Sequence, residues 1–62
     1  WEQAIAAIES LGEPARQVVL LRFVEEMSLE EIAEALDMQL GSVKSAIHRS
    51  RKRLKSILEM QA

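Results

Sequence analysis

Five cationic side chains, Arg49, Arg51, Lys52, Arg53 and Lys55, fall within seven consecutive positions, and with Lys44 they make up six of the eight basic residues. Guanidinium and ammonium groups at that density hold anionic oxygens through charge-assisted hydrogen bonds, so the chemistry on offer is the binding of a polyanion. The rest of the chain has the opposite sign. Residues 1–37 carry nine carboxylates against Arg16 and Arg22, a net −7, whereas residues 38–62 set the six cations against Glu59, a net +5. The overall −2 therefore conceals a charge dipole, with one face suited to a polyanion and another to something else.

Bond-making chemistry has little to work with. There is one His, no Cys and no Tyr, and the carboxylates are spread over solvating positions. The two glycines, Gly12 and Gly41, are too few and too far apart to cradle a phosphate. His48 lies between Lys44 and Lys52, with no partners for a metal, and reads as a polar surface contact. The expectation is a protein that is not an enzyme, with no cofactor and no small-molecule substrate. Without cysteine there is neither a disulfide nor a thiolate metal site, a usage compatible with a reducing cytosol. No apolar run approaches the roughly 18 residues of a membrane span, and no segment has the form of a secretion signal, so the expected location is cytoplasmic. The chain starts at Trp1 with no initiating Met, as expected of a domain from a larger parent.

Positioning the cations falls to helices. Sixty-two residues make one domain, 1–62, which buries only about 60% of the surface of its unfolded chain and must rely on simple helix packing. Trp1, Ala4, Ile5, Ile8 and Leu11 recur at helical spacing and predict a first helix over about 1–11, stopped by Gly12. Pro14 suits the first turn of a second helix, about 14–25, whose Val18 to Leu21 run is apolar on more than one side and marks it as the central, most buried element. Ser28 with Glu31 has the spacing of a capping box and opens a third helix, about 28–36, with Leu29, Ile32, Ala33 and Leu36 on one face. After a short turn a fourth helix covers about 41–60. Val43, Ile47, Ser50, Leu54 and Leu58 form its buried stripe, and at about 100° per residue the outward face collects Ser45, His48, Arg49 and Lys52, flanked by Ser42, Lys44, Arg51 and Lys55. Met38 and Met60 read as core or edge filler, and Trp1 as a packing residue of the first helix.

A short capped helix, a turn of about four residues and a second helix with a basic outer face have the layout of a helix-turn-helix. In that unit the first helix crosses the phosphate backbone, and the second puts its N-terminal turns into the major groove. Ser42, Lys44, Ser45, His48 and Arg49 are then the side chains near base edges and adjacent phosphates. A single aromatic far from the basic helix argues against stacking of single strands.

The residues from Leu20 to Leu54 carry a more specific signal: Leu-Arg-Phe-Val-Glu, then Ser-Leu-Glu-Glu-Ile-Ala-Glu-Ala-Leu, then Leu-Gly-Ser-Val-Lys-Ser-Ala-Ile-His-Arg-Ser-Arg-Lys-Arg-Leu. This stretch closely resembles region 4 of bacterial extracytoplasmic-function sigma factors. The resemblance implies an all-α, four-helix domain containing a helix-turn-helix, winged-helix-like but without a wing. It also implies recognition of the double-stranded −35 promoter element by the fourth helix and docking on the β flap of RNA polymerase core, with an anti-sigma factor as a further partner. Carried over residue by residue, Lys44, Ser45, His48 and Arg49 match positions that face the major groove, and Arg51 a flanking basic position. Arg22, Leu29 and Glu30 match positions near the DNA backbone and the groove edge, although a helix macrodipole alone would favour Glu30. Relatives often have Arg at the position of Ala46, implying a lost phosphate or base contact, and Thr at that of Ser42. Glu26 and Asp37 stand where glycine is frequent.

Two other readings stay open at this level. A LuxR-type response-regulator effector domain shares four helices and a similar recognition helix, but usually pairs through its last helix, where Arg51, Lys52, Arg53 and Lys55 would meet like charge. A protein-interaction module with acidic helices and no DNA contact of its own is the other.

Overall fold

The computed structural model describes residues 2–61. Four helices follow in order: α1 (Glu2–Glu9), α2 (Ala15–Phe23), α3 (Leu29–Ala35) and α4 (Leu40–Gln61). The reading of Trp1 lies outside the described residues.

Helix α4 is the spine. At about 1.5 Å per residue its 22 residues span roughly 33 Å, nearly the whole 35 Å long axis of the molecule. Both α2 and α4 pack on all the other helices, whereas α1 and α3 do not touch each other among the described residues. The central place expected of α2 is therefore shared with α4. Val18, Ile32, Ala33, Val43, Ala46 and Ile47 form one buried cluster where α2, α3 and α4 meet, with Leu21, Met27, Leu29, Leu36 and Met38 packed around it. Each fully buried aliphatic side chain there contributes about 1.5–3 kcal/mol, the main source of stability in a chain without disulfides.

The turns show why the helices stop where they do. Ser28 Oγ accepts the Glu31 amide at 3.1 Å, and Glu31 Oε1 accepts the Ser28 amide at 2.9 Å, the reciprocal capping box expected from the spacing. At the other end of α3, Asp37 takes a left-handed φ of 53°, so that the Met38 amide reaches the Ala33 carbonyl at 2.8 Å and the Asp37 amide the Glu34 carbonyl at 3.3 Å. This is a Schellman closure, with Met38 packing on the core that holds Ala33. Glu26, φ 57°, also turns left-handed after α2, where the Met27 amide reaches the Leu21 carbonyl at 3.0 Å. Both positions are the ones expected to favour glycine.

Several expectations need correction. Gly12 does not stop α1: no glycine has a positive φ, and the helix ends at Glu9, where the Ser10 hydroxyl donates to the Ala7 carbonyl at 2.6 Å. On α1 the predicted Ala4, Ile5 and Ile8 are half-buried and Leu11 is buried, but the deepest residue of the helix is Ala7, which the predicted set omitted. Helix α2 ends at Phe23 rather than Glu25, leaving Phe23 and Val24 about half exposed. The buried stripe of α4 fades before its end: Leu54 is half-buried, Leu58 is 38% exposed and Met60 is 84% exposed, so Met60 is not core filler. The reason is length. Helices of seven to nine residues cannot cover a 22-residue neighbour.

Candidate nucleic-acid interface

The buried row of α4 is Val43, Ala46, Ile47 and Ser50. It fixes the helix rotation, and everything opposite is forced outward: Ser42, Lys44, Ser45, His48, Arg49, Arg51 and Lys52 are all exposed. Ala46, at 3% exposure, faces the core. An arginine at that position would be directed inwards, so the expected loss of a phosphate or base contact there is corrected: alanine fits because the position is a packing one.

The candidate residues do not form a single array. Arg22, Leu29, Lys44, His48 and Arg51 come together with Ile47 around a shallow depression of about 190 Å³ between α2, α3 and α4. Arg49, Lys52, Arg53, Ser56, Ile57 and Met60 line a second, more open depression further along α4, with Lys52 one turn on from His48 on the same outward strip. Arg49 and His48 share the outward face expected from the helical spacing but border different depressions. Ser42, Ser45 and Glu30 line neither depression and are simply exposed, Ser42 and Ser45 in the first turns of α4 and Glu30 in the first turn of α3.

Two of the cations are held in place. The Arg22 Nη1 donates to the Met27 carbonyl at 2.9 Å, tying the end of α2 to the turn before α3. Its remaining N–H groups stay available, because a guanidinium carries five donors. Arg51 sits over the Phe23 ring, with Cζ 5.5 Å from the ring centroid. Phe23 is a neighbour of the candidate residues that sequence reading missed; α2 and α4 are brought together only by the fold, and its one local signal is being an aromatic beside Arg22 in an aromatic-poor chain.

The electrostatics leave the cations free to bind. Among the described residues the one salt bridge is Arg16–Glu13, exposed and made at the start of α2. None of Lys44, Arg49, Arg51, Lys52, Arg53 and Lys55 pairs with an acid there, despite an acid majority in the chain. Hydrogen bonds from the Ser28 amide and hydroxyl hold the Glu31 carboxylate below the usual range. No group of three or more His, Cys, Asp or Glu able to hold a metal occurs among the described residues. Among those residues no helix is long and apolar enough to cross a membrane.

Comparison with known proteins agrees with this geometry. The sequence model of the family described as Sigma-70, region 4 matches residues 1–54. The chain is 49% identical over 53 residues to an RNA polymerase sigma-E factor of Streptomyces antibioticus, covering 86% of this chain and 29% of that protein. It is 41% identical over 51 residues to the ECF RNA polymerase sigma factor SigW of Bacillus subtilis, covering 82% and 27%. It is 43% identical over 53 residues to the ECF RNA polymerase sigma factor SigE of Mycolicibacterium smegmatis, covering 86% and 21%. The chain thus spans less than a third of the length of these relatives. No solved structure matches it. With a match over residues 1–54, the chain belongs to the sigma-70 region 4 family, which is not a class of enzymes.

Proposed function

We propose that this chain, as a single domain over 1–62, recognises the −35 element of a promoter and helps to hold its parent sigma factor on RNA polymerase. The observation that carries this reading is the outward cationic surface of α4, unpaired among the described residues and joined by Arg22 and Leu29 at the end of α2 and the start of α3. In this reading Ser42, Lys44, Ser45 and His48 reach base edges from the first turns of α4. Arg22, Arg49, Arg51 and Lys52 take phosphates on the two sides of the groove, because cations on opposite flanks of one helix meet opposite strands. Leu29 packs at the groove edge. Glu30 is assigned to the groove edge too, where an acid in the first turn of α3 also suits the helix dipole.

The polymerase contact is assigned to the β flap, and an apolar depression of about 280 Å³ lined by Arg16, Gln17, Leu20 and Leu21 supports it, since it lies outside the cationic rows. An anti-sigma factor that covers α4 completes the set of partners. Salt dependence tests the DNA assignment. Engagement of about four to six phosphates predicts that log affinity falls with log salt at a slope near −4 to −5. A flat response removes the DNA reading in favour of a protein-interaction module.

A further inference from the structure

Phe23 is the chain's single phenylalanine, and it is left 47% exposed at the end of α2. Packing covers only about half of it, and it lies outside the core cluster, in which Val18 anchors α2 while Val43, Ala46 and Ile47 anchor α4. Its ring instead lies beneath Arg51, whose Cζ is 5.5 Å from the centroid. Arg51 has no carboxylate partner among the described residues, which leaves the Phe23 ring as the neighbour its guanidinium meets there. A guanidinium can stack through its face and still present N–H donors along its edge, which a lysine ammonium cannot do.

We propose that Phe23 is a positioning residue for phosphate binding, a ring that holds Arg51 at the rim of the α2–α4 depression before DNA arrives. The proposal rests on the duplex-binding reading given above. Arg22, tied to the Met27 carbonyl, and Arg51, laid on Phe23, are two pre-placed guanidiniums beside the freer Lys44 and His48. Ordering a long side chain in advance removes part of the entropy lost on binding, so Phe23 raises affinity without touching DNA.

The test is a double-mutant cycle on the 62-residue chain, reading fluorescence anisotropy of a labelled duplex at low salt, with helix content and melting followed in parallel. Phe23→Leu is expected to weaken binding about two- to fivefold, the cost of immobilising one side chain. It is expected to have no effect once Arg51→Ala is present, and Phe23→Tyr, which keeps the ring, retains full affinity. Equal losses from Phe23→Leu with and without Arg51, or no loss at all, overturn the proposal. Arg51→Lys covers the case in which the leucine variant fails to fold: it keeps the charge and loses the stack, so wild-type affinity from it also overturns the proposal. Should no variant and no wild-type protein bind duplex, the interface reading itself has failed; duplex binding that is indifferent to Arg51→Ala defeats only the role given to Phe23.

Discussion

At the scale of single residues, the side chains that face water were readable from helical spacing, and those whose roles depend on a distant neighbour were not. The outward positions of Lys44, Ser45, His48 and Arg49 follow from the apolar period of Val43, Ile47 and Ser50, because a helix with one buried row has its opposite face fixed. The contact between Phe23 and Arg51 has no such local signature, since 27 residues of intervening chain set it through the packing of α2 on α4. Ser50 was legible as buried, but not as an orphan: its Oγ has no hydrogen-bond partner among the described residues, and the residue is 2% exposed. A buried hydroxyl without a partner costs roughly 1–3 kcal/mol, and alanine is also the better helix former. Ser50→Ala is therefore expected to stabilise the fold by about 1 kcal/mol, read as a rise of about 4–8 °C in Tm for a domain of this size. A fall in Tm would mean that the hydroxyl has a role in holding α4.

At the scale of elements, all four helices were legible and their ends less so. Periodicity reports the body of a helix, whereas its last turn is decided by which group takes the free carbonyls. The Ser10 hydroxyl closes α1 two residues before Gly12, and Arg22 bonded to Met27 helps to end α2 at Phe23. The start of α3 was readable because both partners of its cap are local, three residues apart. Replacing Ser28 by Ala is expected to cost about 1 kcal/mol, measured by chemical denaturation. Glu31 adds a pH signature. Its folded-state affinity for protons is lowered by the Ser28 bonds, so its stabilising effect is present above the ordinary carboxylate range and is lost as pH falls through the lower folded value. Melting curves between pH 7 and pH 3 should show the advantage of wild type over Glu31→Gln shrinking on acidification. An advantage that is constant with pH would contradict the capping role. The seven-residue α3 carries the first half of the helix-turn-helix, so loosening this cap should also weaken duplex binding.

At the scale of the whole molecule, the separation of charge along the sequence becomes a separation in space only because α4 spans nearly the full length of the fold. The dipole was visible in the sequence. What the sequence hid was the mismatch in length that leaves Leu58 and Met60 uncovered, since an apolar period says nothing of where the neighbouring helices end. The acidic body also opposes the approach of DNA, and one small module buries little surface, so this chain alone is expected to bind duplex at micromolar affinity or weaker. Tethering within a parent bound to polymerase would then supply the missing affinity through effective concentration. Nanomolar specific binding by these 62 residues would contradict that division of labour. The most direct measurement of the central claim is the map of backbone amide shifts as the isotope-labelled chain is titrated with a duplex enriched from a random library. The predicted map peaks at Ser42, Lys44, Ser45 and His48, extends to Arg22 and Arg51, and leaves Glu2–Glu9 unmoved; changes centred on α1, with the first turns of α4 silent at saturating duplex, would contradict it.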